Sequence, residues 1–444
     1  MELTGKKILV VGLGRTGRES ARFLARQGAR VLISDLRREA ELAQEIASLR
    51  GLPVEYRLGD EQLDWLDGVD CVIPSPGVAR ENSLLRHAAA SHIPVLSEIE
   101  LAYRFFQAPL LAVTGTNGKS TTTTLIGEMI RASKQKVFVG GNLGVPFISA
   151  TSENWDWAVV EISSFQLEWI EQFRPRIAVL LNMTEDHLDR YPSFDDYCAA
   201  KERIFEAQTS ADMAILNRDD PLVWQMRDRI KARVVSFGFT EAAQGVFASV
   251  DEIIWRDGGA EERFALREVK IHGVHNLENM MAAIAAAKCA GVSSALIQES
   301  LNRFSGLEHR LEFVRERNGV RYYNDSKGTN VGAVVKSLAS FTEPVILLVG
   351  GVDKGGSYGP LTEEIKQKVR RLVLFGAAKD VIAHALGALT QTVVVDDLQA
   401  AVRDAAAQAR AGDVVLLSPA CSSFDQFKNY AERGRVFKTL VQSL

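Results

Sequence analysis

The sequence predicts an α/β protein of three domains. The first is an N-terminal Rossmann-like unit. The second is a central P-loop parallel sheet with a small antiparallel β insertion, and the third a C-terminal Rossmann-like α/β unit. Three observations predict this. Short β-branched apolar runs alternate with longer helix-period stretches from end to end, the pattern of parallel sheets covered by helices. The runs fall into three separate sets, more than one doubly wound sheet uses. A length of 444 residues points the same way, at about 150 residues per domain.

In the first unit KKILVVG (6–12), ARVLISD (29–35) and DCVIPS (70–75) read as strands, and a helix after Gly14 carries Ala21, Phe23 and Leu24 inward. The second unit starts at LLAVTG (110–115) and continues through VFVGG, WAVVEI, IAVLLN and ADMAILN. Between about 233 and 275 the pattern changes to RVVSFGF, GVFASV, EIIWRD and ERFALREVKI, which read as hairpin strands of an antiparallel insertion. MMAAIAAAKCA, after His275 and Asn276, is a core helix. The third unit holds EPVILLVGG (343–351), RLVLFG (371–376), TVVVDD (392–397) and DVVLLSP (413–419). Boundaries near Ser97 and Gly306 divide the chain into 1–97, 98–306 and 307–444.

Composition excludes several classes. At 46% hydrophobic and 24% charged residues, disorder is ruled out. With 52 Lys+Arg against 56 Asp+Glu, a net charge of −4 argues against a nucleic-acid coat or a polybasic membrane surface. No apolar run approaches the ~20 residues of a membrane span. The N-terminus turns directly into a glycine loop, without the cleavage pattern of a signal peptide. Cys71, Cys198, Cys289 and Cys421 are scattered and form no CxxC pair, which predicts reduced thiols, a cytoplasmic protein and no zinc cluster.

The chemistry concentrates in loops after strands. Thr114–Thr121 (TGTNGKST) follows a buried strand and opens a helix. Glycines there let backbone N–H groups approach a phosphate chain, Lys119 adds charge, and the Ser120 hydroxyl is placed to ligate Mg²⁺. The first glycine of the general pattern is replaced by Val113, and the bland alternative is a turn without ligand. Gly12–Gly17 (GLGRTG), with Asp35 ending the next strand, fits a dinucleotide fingerprint. Any nucleotide diphosphate suits it, NAD being one version. Glu161 ends WAVVEI, where a carboxylate suits Mg²⁺ but equally a helix N-terminus. His187 among acids reads as a surface residue or a ligand, and nothing local marks Lys201. Three loops, 323–330, 350–355 and 418–427, follow strands of the third unit and together outline one crevice.

These residues together resemble the Mur ligases, ATP-dependent amide-forming enzymes of peptidoglycan synthesis. TGTNGKST, VVEISSFQLE, NMTEDHLDRY, the lysine of AAKERIF, HGVHNLEN, LEHRLE, YYNDSKGTN and GGVDKG match in order. GLGRTG, SSFQLE and SPACSSFDQFKNYAERG are similar to the member that adds D-glutamate to UDP-N-acetylmuramoyl-L-alanine. The resemblance implies ATP on Gly115, Thr116, Asn117, Gly118, Lys119, Ser120 and Thr121, with Asn276, Asn279, Arg310 and Asp325 around the nucleotide. It implies two Mg²⁺ sites, one on Ser120 and Glu161, the other on His187 and a carbamate of Lys201; Lys119, His187 and Lys201 are the implied catalytic residues. The UDP substrate is expected on Arg15, Thr16, Asp35, Leu36, Arg37, Gly77, Asn142 and His187. D-Glutamate is expected on Lys327, Thr329, Lys354, Ser423, Phe424 and Tyr430. Arg15, Leu36, Phe424 and Tyr430 depart from the residues common in relatives.

The resemblance further implies an acyl-phosphate route, a monomer with small-molecule substrates and no nucleic-acid partner, and closure of the third unit over the middle one. Competing readings are another amino-acid ligase of the same fold, an NAD-binding protein, and a P-loop motor or switch protein.

Overall fold

Each of the three expected units is built on its own sheet in a computed structural model, which describes residues 1–271 and 273–444. His272, the first residue of HGVHNLEN, lies outside the described residues. In the N-terminal unit, β1 (Lys7–Val11), β2 (Arg30–Asp35), β3 (Val54–Leu58) and β4 (Cys71–Pro74) form a parallel sheet in the order β3-β2-β1-β4. The sequence reading left out β3, an edge strand in which exposed charged residues alternate with half-buried ones. Helix α1 (Arg15–Arg26) buries Gly17, Ser20, Ala21, Leu24 and Ala25. Gly17 is needed by packing: a Cβ there would lie 1.9 Å from the Gly12 carbonyl oxygen. Phe23, expected inward, is only half-buried and meets Phe105 edge-on at 5.1 Å. It packs at the seam with the next unit because the small residues of α1 already fill the space over the sheet.

The central sheet contains β5 (Leu110–Thr114), β6 (Val137–Gly141), β7 (Trp157–Glu161), β8 (Ile177–Leu180), β9 (Met213–Asn217), β10 (Arg233–Gly238), β11 (Gly245–Ala248), β12 (Glu252–Asp257) and β13 (Ala260–Ala265). Its order is β13-β12-β11-β10-β9-β8-β5-β7-β6. The antiparallel pairs β11–β12 and β12–β13 fall within the expected segment. RVVSFGF, however, is not a hairpin strand: β10 pairs parallel with both β9 and β11. The antiparallel strands extend this sheet instead of forming a separate layer. Helices α2 (Lys119–Ala132), α3 (Phe194–Glu202) and α4 (Val274–Cys289) belong to this unit. In α4, Met280 to Ala287 are all buried in one hydrophobic cluster with Leu125, Ile126 and Val159.

The C-terminal sheet contains β14 (Glu312–Arg317), β15 (Val320–Asn324), β16 (Val345–Gly350), β17 (Val369–Phe375), β18 (Gln391–Val394) and β19 (Val414–Leu417), in the order β14-β15-β19-β16-β17-β18. Only the β14–β15 hairpin is antiparallel. β16 and β19 are buried throughout, as parallel strands covered on both faces must be. Helices α5 (Val331–Ala339) and α6 (Tyr430–Ser443) flank this sheet.

The third unit sits closed over the second. Asn330 Nδ2 donates to Asp186 Oδ2 at 2.9 Å, Lys354 Nζ pairs with Asp186 Oδ1 at 3.2 Å, and Lys336 pairs with Glu278. No helix among the described residues is long and apolar enough to cross a membrane.

Candidate active site

The loop between β5 and α2 leaves a fully buried strand and is braced from β8. Asn182 accepts from the Asn117 N–H at 2.8 Å and donates to the Asn117 carbonyl at 3.1 Å; the Thr116 N–H donates to the Asn182 carbonyl at 2.9 Å. Lys119 Nζ folds back onto the carbonyls of Gly115 (2.9 Å) and Thr116 (2.8 Å). Burial pulls this ammonium down to about 8. The loop thus stores a cation over a helix N-terminus, the arrangement that receives a phosphate chain.

Glu161 ends β7 beside this loop. Its Oε1 accepts from Asn142 Nδ2 at 2.6 Å, while Oε2 is buried without a hydrogen-bond partner. Burial would raise its pKa, yet the neighbouring Lys119 charge keeps the carboxyl below its ordinary value. An anionic oxygen that is buried and unpartnered is what a divalent cation requires. The Ser120 hydroxyl, on the first turn of α2, accepts from Arg310 Nη2 at 2.8 Å.

Lys201, which nothing local marked, is 1% exposed. Its Nζ donates to the Gly115 carbonyl at 3.0 Å and stands 4.5 Å from the Tyr197 ring centre. Burial, then the charge of Lys119, pushes its pKa well below the ordinary lysine value. His187 adopts a left-handed φ of 57° and meets Phe165 edge-on at 4.8 Å. Burial pulls its pKa down to about 4, so the imidazole is neutral at pH 7 and free to ligate. Among the described residues no three His, Cys, Asp or Glu side chains converge to hold a metal ion.

The third unit faces this centre with its loops. Asp325 accepts from the hydroxyls of Ser337 and Ser418, each at 2.7 Å, and burial raises its carboxyl to about 6. With Asn276, Asn279, Arg310 and Lys327 it lines a cleft that reaches Asn117 and Gly118. Lys327 Nζ lies 3.9 Å from the Tyr430 ring centre, and burial lowers its pKa to about 8. Lys354 and Thr329 border a second cavity of about 520 Å³ that also touches Asp186. Ser423 is buried, whereas Phe424 is 74% exposed.

In the N-terminal unit Asp35 is buried and engaged. Its Oδ2 accepts from the Leu13 N–H and from Arg37 Nη2, each at 2.8 Å, so it braces the glycine loop. Leu36 is 65% exposed, and Arg15 reaches across the seam to the Gly144 carbonyl. Thr16 lies in the first turn of α1, and Gly77 is exposed.

Four site residues escaped sequence reading. Arg190 joins the first two units: it donates to the Pro76 (2.7 Å) and Val78 (3.0 Å) carbonyls and pairs with Glu168 at 3.0 Å. Asp186 and Asn330 form the seam already described. Arg433, on α6, is fully buried. All four lie inside the motifs quoted above, and Asn330 had a further signal, an Asn before an apolar helix, the position of a side-chain cap.

Comparison with known proteins adds to this geometry. The Mur ligase MurD-like N-terminal domain profile matches residues 6–97, the Mur ligase middle domain 113–287, and the Mur ligase glutamate ligase domain 309–421. The chain is 53% identical to a UDP-N-acetylmuramoylalanine–D-glutamate ligase of Geotalea uraniireducens, covering 100% of this chain and 99% of that one. It is 51% identical to the ligase of the same name from Trichlorobacter lovleyi, covering 100% of both. Among solved structures, a pseudomurein peptide ligase type C from Methanothermus fervidus superimposes with a TM-score of 0.62 at 18% identity, covering 99% of this chain and 100% of that one. The UDP-N-acetylmuramate–alanine ligase of Thermotoga maritima gives 0.61 at 21% identity, covering 98% and 99%. These two show a shared fold.

Proposed function

The chain belongs to the Mur ligase family, and from that premise we propose that it joins D-glutamate to UDP-N-acetylmuramoyl-L-alanine at the expense of ATP. The observation that carries this reading is the full-length identity of 51% and 53% to two D-glutamate ligases.

The N-terminal unit takes the UDP moiety through Arg15, Thr16, Asp35, Leu36, Arg37 and Gly77, with Asn142 and His187 toward the sugar–peptide end. The 115–121 loop, Asn276, Asn279, Arg310 and Asp325 take ATP. The L-alanine carboxylate attacks the γ-phosphorus, giving an acyl phosphate and ADP; the amine of D-glutamate then attacks the carbonyl carbon and phosphate departs. Ser120 and Glu161 would hold one Mg²⁺, and His187 with a carbamate of Lys201 a second; bound there, the ions would supply positive charge where a carboxylate must approach a polyanion. Lys119 adds to this charge and exchanges its two loop carbonyls for phosphate oxygens. Lys201 suits carbamate formation because burial pushes its pKa well below the ordinary lysine value, favouring the uncharged amine that attacks CO₂. Lys327, Thr329, Lys354, Ser423, Phe424 and Tyr430 surround the incoming amino acid, the two lysines meeting its carboxylates and holding its amine near the carbonyl. A closed third unit keeps water from the acyl phosphate. The four free thiols support a reducing compartment such as the cytoplasm, and the reading keeps the enzyme a monomer.

The test is ADP release with ATP, Mg²⁺ and UDP-N-acetylmuramoyl-L-alanine against a panel of amino acids. D-Glutamate alone is expected to support turnover. Equal turnover with L-alanine or a diamino acid would sink the assignment.

A further inference from the structure

Among the described residues, Arg433 is the largest side chain with essentially no exposure. A guanidinium taken out of water normally demands a carboxylate. Here five hydrogen bonds go instead to uncharged oxygens: Nε to Ser326 Oγ (3.0 Å), Nη2 to the carbonyls of Ser326 (2.9 Å) and Cys421 (3.2 Å), and Nη1 to those of Gly350 (3.3 Å) and Ser422 (3.4 Å). Burial lowers its pKa only to about 10, so the charge persists at neutral pH.

Those oxygens belong to three different loops. Ser326 precedes Lys327, Gly350 opens the loop to Lys354, and Cys421 and Ser422 precede Ser423. The same face of α6 supports the first loop further. The Ser326 hydroxyl donates to the Tyr430 carbonyl at 2.8 Å, and the Tyr430 ring lies under Lys327. At Gly434 the helix backbone presses on His309, where a Cβ would come within 2.3 Å of Nδ1, and the His309 carbonyl accepts from the Lys327 N–H at 3.0 Å.

We infer that Arg433 is a positioning residue: a single planar guanidinium that sets the mutual spacing of the three loops receiving the incoming amino acid. This rests on the proposed assignment of those loops. The fork geometry matters, because five donors in one plane reach carbonyls on separate strands' ends, which a lysine ammonium with three donors cannot reproduce.

The test is steady-state ADP release by Arg433→Lys beside the parent enzyme, with each substrate varied in turn. KM for the incoming amino acid should rise roughly tenfold, since small misplacements of binding groups are costly. KM for the UDP substrate should stay within about twofold. An unchanged amino-acid KM, an equal rise in all three constants, or a fall in kcat alone overturns the inference. If Arg433→Lys does not fold, Ser326→Ala reads the same clamp, and an amino-acid KM identical to the parent's overturns it. Hydrogen exchange gives a readout independent of turnover: the folded variant should exchange faster in all three loops together, and loosening confined to α6 overturns the clamp. A parent enzyme that uses an amino acid other than D-glutamate defeats the functional assignment, while KM for that amino acid still tests Arg433.

Discussion

Lys201 shows how far a residue's chemistry depends on what surrounds it. By its sequence neighbours it is a helix lysine; in the fold it is buried, bonded to one carbonyl and held beside a second lysine. Lys201→Ala should reduce turnover by at least about a hundredfold, the scale of losing a metal-site ligand's support. Added short carboxylic acids should restore part of it by replacing the carbamate oxygens; a fully active variant contradicts the carbamate. Lys119 makes a different prediction, because its two acceptors lie in its own loop. Lys119→Ala should abolish ADP formation in a discontinuous assay while UDP-substrate affinity, measured calorimetrically, stays near that of the parent. Retained turnover would refute the phosphate-loop assignment. The two lysines were not equally legible: Gly-Lys-Ser-Thr after a strand is a local signal, whereas the burial of Lys201 is created by residues far along the chain.

Among elements, the helix Glu98–Tyr103 joins the first two units and carries a titration of its own. Glu98 is 1% exposed; one oxygen accepts from the Ile148 N–H and Oε2 has no partner. Burial raises its carboxyl from 4.5 to about 7. The folded state therefore holds a proton that the unfolded state loses between pH 4.5 and 7, so stability falls as pH rises through that window and levels off above it. The loss amounts to about 3 kcal/mol. Urea unfolding of the parent and of Glu98→Gln at pH 5 and pH 7.5 should show the parent losing stability relative to the variant; parallel curves would contradict a buried, raised carboxyl. Element types were legible where period and burial agreed, as in β16, β19 and α4. β3 was missed because an edge strand exposes alternate charged residues, and β14 because its exposed Phe313, Glu316 and Arg317 keep no period of two. β10 was misread because hairpin-like Gly-rich turns do not reveal which neighbour a strand joins.

At the scale of the whole molecule, the closed arrangement is held by polar contacts between the second and third units, among them Asn330 and Lys354 on Asp186, Arg310 on Ser120 and Lys336 on Glu278. Such a seam resembles a transient interface, for which relative motion is the default expectation. Adding ATP, Mg²⁺ and UDP substrate should lower the radius of gyration seen by small-angle X-ray scattering, as the open population is drawn closed. An identical envelope with and without them counts against substrate-driven closure.

The sequence by itself determined the three α/β units, the Gly-Lys-Ser-Thr loop before α2, the buried helix α4 and the loops that bear the third unit's lysines. Each is a local pattern, in which strand, turn and helix are contiguous. Only the tertiary structure decided that Glu161 keeps an unpartnered oxygen, that Lys201 is desolvated, that Asp186 bridges to Lys354, and that Arg433 ties three loops. Contacts such as Asp186–Lys354 and Arg433–Ser326 join residues 168 and 107 positions apart. Desolvation, the largest influence on the pKa of Lys201, His187 and Asp325, arises only when segments distant in the chain fold around a side chain.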